Sequence, residues 1–348
     1  MAYTTINKHT DFFNTKLYTG TGAELAVTGV GFQPDFTWLK SRSVAEGHYL
    51  QNAVRGATKF LHTNNSDAEV TGAQFLKSFD TDGFTVGTES DINTNNSTNV
   101  SWNWKAGGGQ GSSNTDGSIN TTYTSVNTTA GFSISTYTGN GSAGATIGHG
   151  LGAVPDVIIV KKLSGTSDWS SYHSVLGNTE YMRFNNSNPA TTASTYWNDT
   201  TPTSTVFTAG TTGNINGSGA DYVAYCFAAK KGYSKFGSYT GNGNTNGTFI
   251  YTGFRPSFLL LKQTNTGGQT WRIFDSKRDP GNFVSRALLP NANDVEETAA
   301  SAGSLDFLSN GFKLRSDYGS RNASGGTYVY MAFGQSLVGS NNVCSTAY

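Results

Sequence analysis

Tyr18-Thr-Gly-Thr-Gly22, Tyr137-Thr-Gly-Asn-Gly141 and Tyr239-Thr-Gly-Asn-Gly243 are three copies of one phrase, and the residues after each copy repeat with it. A phrase that recurs at this scale marks a chain built of tandem units. Each copy leads to a strand that begins at a proline. These strands read Phe32-Gln-Pro34-Asp-Phe36-Thr-Trp38-Leu-Lys40, Val154-Pro155-Asp-Val-Ile-Ile-Val-Lys161 and Phe254-Arg-Pro256-Ser-Phe-Leu-Leu-Leu-Lys262. Proline fixes φ and has no N–H, so it suits the mouth of a strand rather than its interior.

Working outward, Trp169, Tyr172 and His173 match the spacing of Trp271, Phe274 and Asp275, and the first copy has His48, Gln51 and Asn52 there. A hairpin follows. Phe79-Asp-Thr-Asp-Gly-Phe84 and Phe307-Leu-Ser-Asn-Gly-Phe312 carry the Asp-Gly and Asn-Gly pairs that tight turns favour, and the middle copy lacks that turn at Ser204–Gly210. Every copy closes on an alternating strand: Val100-Ser-Trp-Asn-Trp104, Val223-Ala-Tyr-Cys-Phe227 and Val329-Tyr-Met-Ala-Phe333. Period-two spacing places Val100, Trp102 and Trp104 on one face.

This pattern predicts an all-β chain of three tandem β-sandwich modules of jelly-roll type. The first module spans 1–107, a Gly/Ser/Thr-rich linker 108–130, the second module 131–231, and the third 232–348 with a C-terminal tail. The Gly-rich stretch Gly107–Asp116 suggests that the first module moves independently. The other arrangement the pattern allows is a merger of the copies into one larger sandwich.

Composition agrees with a β-rich chain. Glycine fills 43 of 348 positions and charged residues 13%, against averages near ~7% and ~25%. Gly, Ser, Thr and Asn weaken helices, whereas 17 Tyr and 21 Phe suit strands. Lys plus Arg and Asp plus Glu number 23 each, so nothing resembles the basic stripe of a nucleic-acid binder. The doublets Lys161-Lys162 and Lys230-Lys231 read as solvated strand ends. Cys226, inside the apolar run Tyr222–Phe227, reads as a buried free thiol, and with only Cys344 beside it there is no disulfide framework. No 18-residue apolar stretch and no N-terminal signal pattern appears, so synthesis in the cytoplasm without membrane insertion is expected.

No catalytic constellation emerges, and the chain is expected to be non-enzymatic, with no cofactor and no metal. His9, His48, His62, His149 and His173 lack metal-ligand spacing. Asp80 and Asp82 resemble the start of a calcium loop, but the chain turns at Gly83 with no completing Glu. Trp38, Trp102, Trp104, Trp169 and Trp271 lie in repeated segments and are expected in the core. Tyr196, Trp197, Asn198 and Asp199, without an evident counterpart, are the candidates for surface or receptor contact. The divergent segments Thr191–Thr205 and Arg278–Ala302 are expected to carry assembly or receptor contacts, with Arg278, Arg286 and Arg321 as interface or surface groups.

Several phrases together carry a family likeness: Ala2-Tyr-Thr-Thr-Ile-Asn7 with Tyr18-Thr-Gly20, Gly31–Lys40, Ser101-Trp-Asn-Trp-Lys-Ala-Gly107, and Gly326-Thr-Tyr-Val-Tyr-Met-Ala-Phe333. The chain resembles proteins of marine tailed phages described as tail-fibre or other virion structural proteins, and the likeness spans nearly its whole length. One departure is His48-Tyr-Leu-Gln-Asn52, where a Trp-led, Asp-containing segment is expected. The resemblance implies a virion protein of the tail or tail fibre, made in the host cytoplasm. It also implies association with other virion proteins, a homotrimer, and contact with a host-surface glycan or protein. A capsid decoration or cement protein, or a glycan-degrading tailspike, would share much of the pattern. The resemblance assigns no functional residue.

Overall fold

The computed structural model describes residues 3–298 and 304–339. Its regular structure is almost entirely antiparallel strand, and each copy folds as a large sheet covered on one face by a small one. In the first copy the large sheet runs β1 (Phe13–Thr19), β9 (Thr98–Trp104), β3 (Phe36–Ser41), β4 (His48–Asn52), β5 (Gly56–His62), β6 (Val70–Thr71). Its cover is β2 (Leu25–Thr28), β8 (Gly83–Val86), β7 (Leu76–Asp80).

The second copy repeats this order with β10 (Tyr123–Asn127), β11 (Phe132–Thr138), β18 (Asp221–Phe227), β13 (Val157–Lys162), β14 (Ser170–His173), β15 (Glu180–Arg183) and β16 (Thr191–Thr192). Its cover is β12 (Ala145–Gly148) paired with β17 (Val206–Ala209), without the hairpin of the other copies. The third copy has β19 (Ser234–Thr240), β25 (Thr327–Gln335), β21 (Arg255–Gln263) and β22 (Arg272–Asp275), covered by β20 (Phe249–Tyr251), β24 (Gly311–Leu314) and β23 (Leu305–Leu308).

The repeated Tyr-Thr-Gly-x-Gly phrase is one half of a clamp. The tyrosine hydroxyls of Tyr18, Tyr137 and Tyr239 donate to the carbonyls of Ile92, Ile215 and Arg321 at 2.8, 2.7 and 2.8 Å. The next residue in each case is a fully buried asparagine, Asn93, Asn216 or Asn322. Its Oδ1 accepts the N–H of Thr21, Asn140 or Asn242, and its Nδ2 donates to nearby carbonyls, including those of Gly87, Gly210 and Ser316. The first glycine is required because a Cβ at Gly20, Gly139 or Gly241 would lie 2.2, 2.6 or 2.4 Å from a backbone oxygen. The second glycine takes a positive φ of 64–73° in all three copies.

Each large sheet is apolar on both faces. Phe36 and Trp38 point to a cluster drawn from all three copies, while Leu39 points to the first copy's own core. Val157 and Ile158 divide in the same way in the second copy, as do Phe258 and Leu259 in the third. The closing-strand triplet Val100, Trp102 and Trp104, with Val223, Tyr225 and Phe227 and with Val329, Met331 and Phe333, lines the shared cluster. Rings from different copies touch there: Trp104 to Phe333 at 5.7 Å, Phe227 to Phe333 at 5.9 Å, Phe36 to Tyr225 at 4.9 Å. The three sandwiches therefore surround a common aromatic axis.

Hydrogen bonds close this arrangement into a ring. The backbone N–H of Glu69 donates to Leu163 O, Ala190 to Thr264 O, and Glu296 to Arg42 O, at 2.9–3.0 Å. These bonds run from copy one to two, two to three and three to one. A second set runs the opposite way: Trp169 Nε1 donates to His62 O at 2.8 Å and Trp271 Nε1 to Arg183 O at 3.1 Å. His48 holds this place in the first copy, buried and facing the Leu289 backbone. A third set pairs Asn52 Nδ2 with Tyr225 OH, His173 Nε2 with Tyr330 O, and Trp102 Nε1 with Asp275 Oδ2. Met331, which occupies the place of Trp102 and Tyr225, offers no N–H or O–H, so His173 donates to the neighbouring backbone carbonyl instead.

Several expectations change. Residues 108–130 are not a free linker, because the N–H groups of Ala106, Gly108 and Gly109 converge on the buried Asp35 carboxylate at 2.6–3.0 Å. Ser112 then bridges Thr124, Ile119 bridges Ile147, and Tyr123–Asn127 forms β10, so the second sandwich begins before residue 131. Shared burial also removes the basis for independent motion of the first module. Lys161 is not a solvated strand end. With Lys40 and Lys262 it is buried, its ammonium donating to backbone carbonyls, and burial pushes all three lysines down to about 8. Cys226 is a buried free thiol as expected, and Cys344 lies outside the described residues.

Because Phe333 touches rings of the first and second copies, Phe333→Ala should cost about 3–5 kcal/mol in one cooperative unfolding transition. Calorimetry resolving an unaltered first or second copy melting separately would contradict the shared axis. Burial holds His173 down at about 4, with Nε2–H on Tyr330 O and Nδ1 accepting from Val175 N–H. The unfolded imidazole titrates near ~6.5, so this contribution to stability is complete above that pH and is lost as pH falls through about 4. The expected loss is roughly 3 kcal/mol. Denaturant melts from pH 7.5 to 4 on the native chain and His173→Gln should differ in slope over that window.

Candidate functional site

Tyr196 and Trp197, expected at the surface, are 5% and 1% exposed. They do have counterparts, and the backbone identifies them: Gly210 N–H donates to Tyr196 O as Gly87 N–H does to Phe75 O. Tyr196 stacks on Tyr181 at 3.5 Å where Phe75 lies tilted against Phe60 at 4.1 Å. A one-turn helix, Ser194–Trp197, thus replaces the missing hairpin strand and plugs the second core. Asn198 and Asp199 have positive φ and form the turn that ends this helix. Asp199 is exposed, but its carbonyl accepts from Asn178 Nδ2. Tyr196 and Trp197 thus form a buried plug, and Asn198 and Asp199 the turn that ends it, with Asp199 at the surface.

Part of the third copy's divergent segment is also tied into the frame, although Phe283 and Val295 remain exposed; residues 299–302 lie outside the described residues. Glu296, nearly buried, accepts from Arg42 of the first copy at 2.8 Å and from Arg278 at 2.9 Å. Arg278, fully buried, also binds Asp275, and the two carboxylates hold its guanidinium above its usual range against the opposing effect of burial. Arg321 is buried as well, and Arg286 remains exposed with Glu296 as partner. Asp82 caps the Gly29 and Gly31 N–H groups, which accounts for its place in the turn.

Among the described residues there is no grouping of three or more His, Cys, Asp or Glu side chains able to hold a metal. Two voids between the copies measure about 10 and 30 Å³ and are lined mostly by rings and aliphatic chains, such as Trp38, Tyr225 and Leu260. Ligand pockets are on the order of 300–1,000 Å³, so neither void is a binding site.

What distinguishes one copy from the others lies on the outer face of a small sheet. In the outer strands β2, β12 and β20 the buried central residue is Val27, Ile147 or Ile250. Its neighbours are Ala26 and Thr28 in the first copy, Thr146 and Gly148 in the second, but Phe249 and Tyr251 in the third. Phe249 is 44% exposed and Tyr251 53%. Gly311, opposite Tyr251 in the register, leaves room for the Phe249 ring, since a Cβ there would lie 3.0 Å from it.

The face continues on both sides. Tyr3 donates to Gly253 O and its hydroxyl meets that of Tyr251. Lys231 sits 4.4 Å over the Tyr3 ring, and Lys235 lies 5.2 Å from the Tyr251 centroid while donating to Tyr251 O. Across the sheet Phe249 is level with Lys313 and Asp306, and Arg315 bridges Asp306 and the exposed Phe283. Sequence reasoning missed this site, although the Phe-Ile-Tyr triplet stands out once the three outer strands are aligned.

Glu296→Ala should therefore cost about 3–5 kcal/mol, because it leaves the buried Arg278 short of a partner. Phe249→Ser and Tyr251→Ser should each stay within about 0.5 kcal/mol of the parent. Urea titrations of the three variants test this division; a Glu296→Ala protein as stable as the parent would refute it.

No curated protein sequence matches the chain, and no solved structure matches it. A family model described as a domain of unknown function (DUF7483) matches residues 8–336, nearly the whole ring of three copies, and the chain belongs to that family.

Proposed function

We propose that the chain is a non-enzymatic virion structural protein of a tailed phage, placed in the tail or tail fibre, which contacts the host surface through the outer face of its third copy. The observation that carries this reading is the exposed Phe249–Tyr251 face, absent from the two otherwise equivalent sandwiches. Its rings and cations project from a frame into which the other divergent segments are tied by Tyr196, Trp197, Arg278 and Glu296. The likeness of the repeat phrases to phage virion proteins supports the location. Assembly with other virion proteins, and the homotrimer implied by that likeness, would use outer surfaces, because the aromatic axis inside one chain is filled. A homotrimer would present three such faces and gain avidity from them.

Immunogold labelling of particles with an antibody to the third copy should decorate the tail. Labelling confined to the capsid shell would replace this reading with that of a decoration protein. Light scattering should give three times the 36.9 kDa chain mass, and a monomer or dimer at particle-like concentrations would remove the trimer. Host polysaccharide incubated with the purified chain should release no reducing ends; their appearance would make the protein a tailspike enzyme.

A further inference from the structure

We infer that the third copy's outer face binds an anionic polysaccharide, with Tyr251 and Phe249 stacking on sugar rings and Lys231 and Lys313 meeting the acid groups. The inference rests on the attachment reading and names its ligand class.

Two observations converge on this occupant. Phe249 and Tyr251 are i and i+2 on one strand, so both project outward about 7 Å apart, on the scale of successive sugar rings. Aromatic faces on a rigid strand lose little entropy on stacking and accept the C–H face of a sugar. The charge around them is one-sided. Lys231, Lys235, Lys313 and Arg315 line the face, against Asp306 and, in the turn after β24, Asp317. Asp306 is already bound to Arg315, whereas Lys231, Lys235 and Lys313 form no ion pair among the described residues. A chain that is neutral overall has thus gathered cations without carboxylate partners beside its exposed rings. A neutral glycan would use the rings and leave these ammonium groups unmatched; an acidic peptide would use the cations and leave the rings unmatched. A polymer of acidic sugars uses both.

The test is a set of binding isotherms for the full chain with a polyuronate, an uncharged β-glucan of matched length, and polyglutamate. Polyuronate should bind more tightly than either of the others, by roughly tenfold or more, with an affinity that falls as salt rises. Phe249→Ala with Tyr251→Ala, and separately Lys231→Gln with Lys313→Gln, should each weaken polyuronate binding by roughly tenfold at an unchanged melting temperature. Equal binding of the β-glucan would retain a glycan receptor and overturn the anionic one. Equal binding of polyglutamate, or indifference to loss of the rings, would reduce the face to charge attraction and overturn the inference. If no saccharide binds, the inference fails. Adsorption of particles carrying the ring-less chain then separates the two claims: lost adsorption keeps the face as a protein-docking surface, and normal adsorption removes the attachment reading too.

Discussion

A β-sheet with apolar side chains on both faces must be covered twice, and this constraint organises the whole chain. The small sheet of each copy covers one face of the large sheet. The other face, carrying Trp38, Trp102 and Trp104 or their equivalents, has no partner within its own copy. Three such faces meeting at one axis satisfy one another without any further element. Burying a large aromatic side chain stabilises by roughly 1.5–3 kcal/mol over leaving it exposed, and the axis collects such rings from every copy. Separate modules on flexible linkers would leave these faces in water.

The ring is made specific by polar groups, since apolar contact alone tolerates slippage. Backbone bonds from Glu69, Ala190 and Glu296 fix each copy to the next, and the indoles of Trp169 and Trp271 reach back the other way. Where residue identity changes, the bond adapts. Asp275 accepts from Trp102, Asn52 donates to a tyrosine hydroxyl, and His173 turns to a carbonyl because Met331 has nothing to offer. Buried groups left unpaired would cost about 1–3 kcal/mol each, which explains why divergent residues at these places remain polar. The departure at His48 belongs to this set: it occupies a ring-closing position, so its difference from tryptophan concerns packing between copies.

Tying so many divergent residues to the frame narrows the choice of functional surface. Tyr196 and Trp197 diverge because the second copy replaced a hairpin with a helical plug, and Glu296 diverges because it serves a charge network between the third and first copies. Divergence among repeats therefore has two sources here, compensation inside the fold and exposure outside it. Only burial separates them. Phe249 and Tyr251 survive that filter because they add rings to a surface that the other copies keep small or polar.

From the amino-acid sequence alone come the all-β class, the three copies, the Pro-led and closing strands, the turns at Asp82-Gly83 and Asn310-Gly311, and the buried thiol of Cys226. These are local properties, set by side-chain period, glycine placement and proline geometry. The partner of the Tyr-Thr-Gly-x-Gly phrase was not legible, because Asn93, Asn216 and Asn322 lie 72, 76 and 80 residues from the N–H groups they accept and sit in otherwise unlike surroundings. Nor was the destination of the tryptophans: a period-two pattern shows that a face is apolar but not whether its cover comes from the same copy or another. The fate of Lys40, Lys161 and Lys262 was hidden for the same reason, since whether an ammonium meets water or backbone carbonyls depends on what closes over the strand end. The tertiary structure decided all three, and with them which divergent residues remained exposed to meet a ligand.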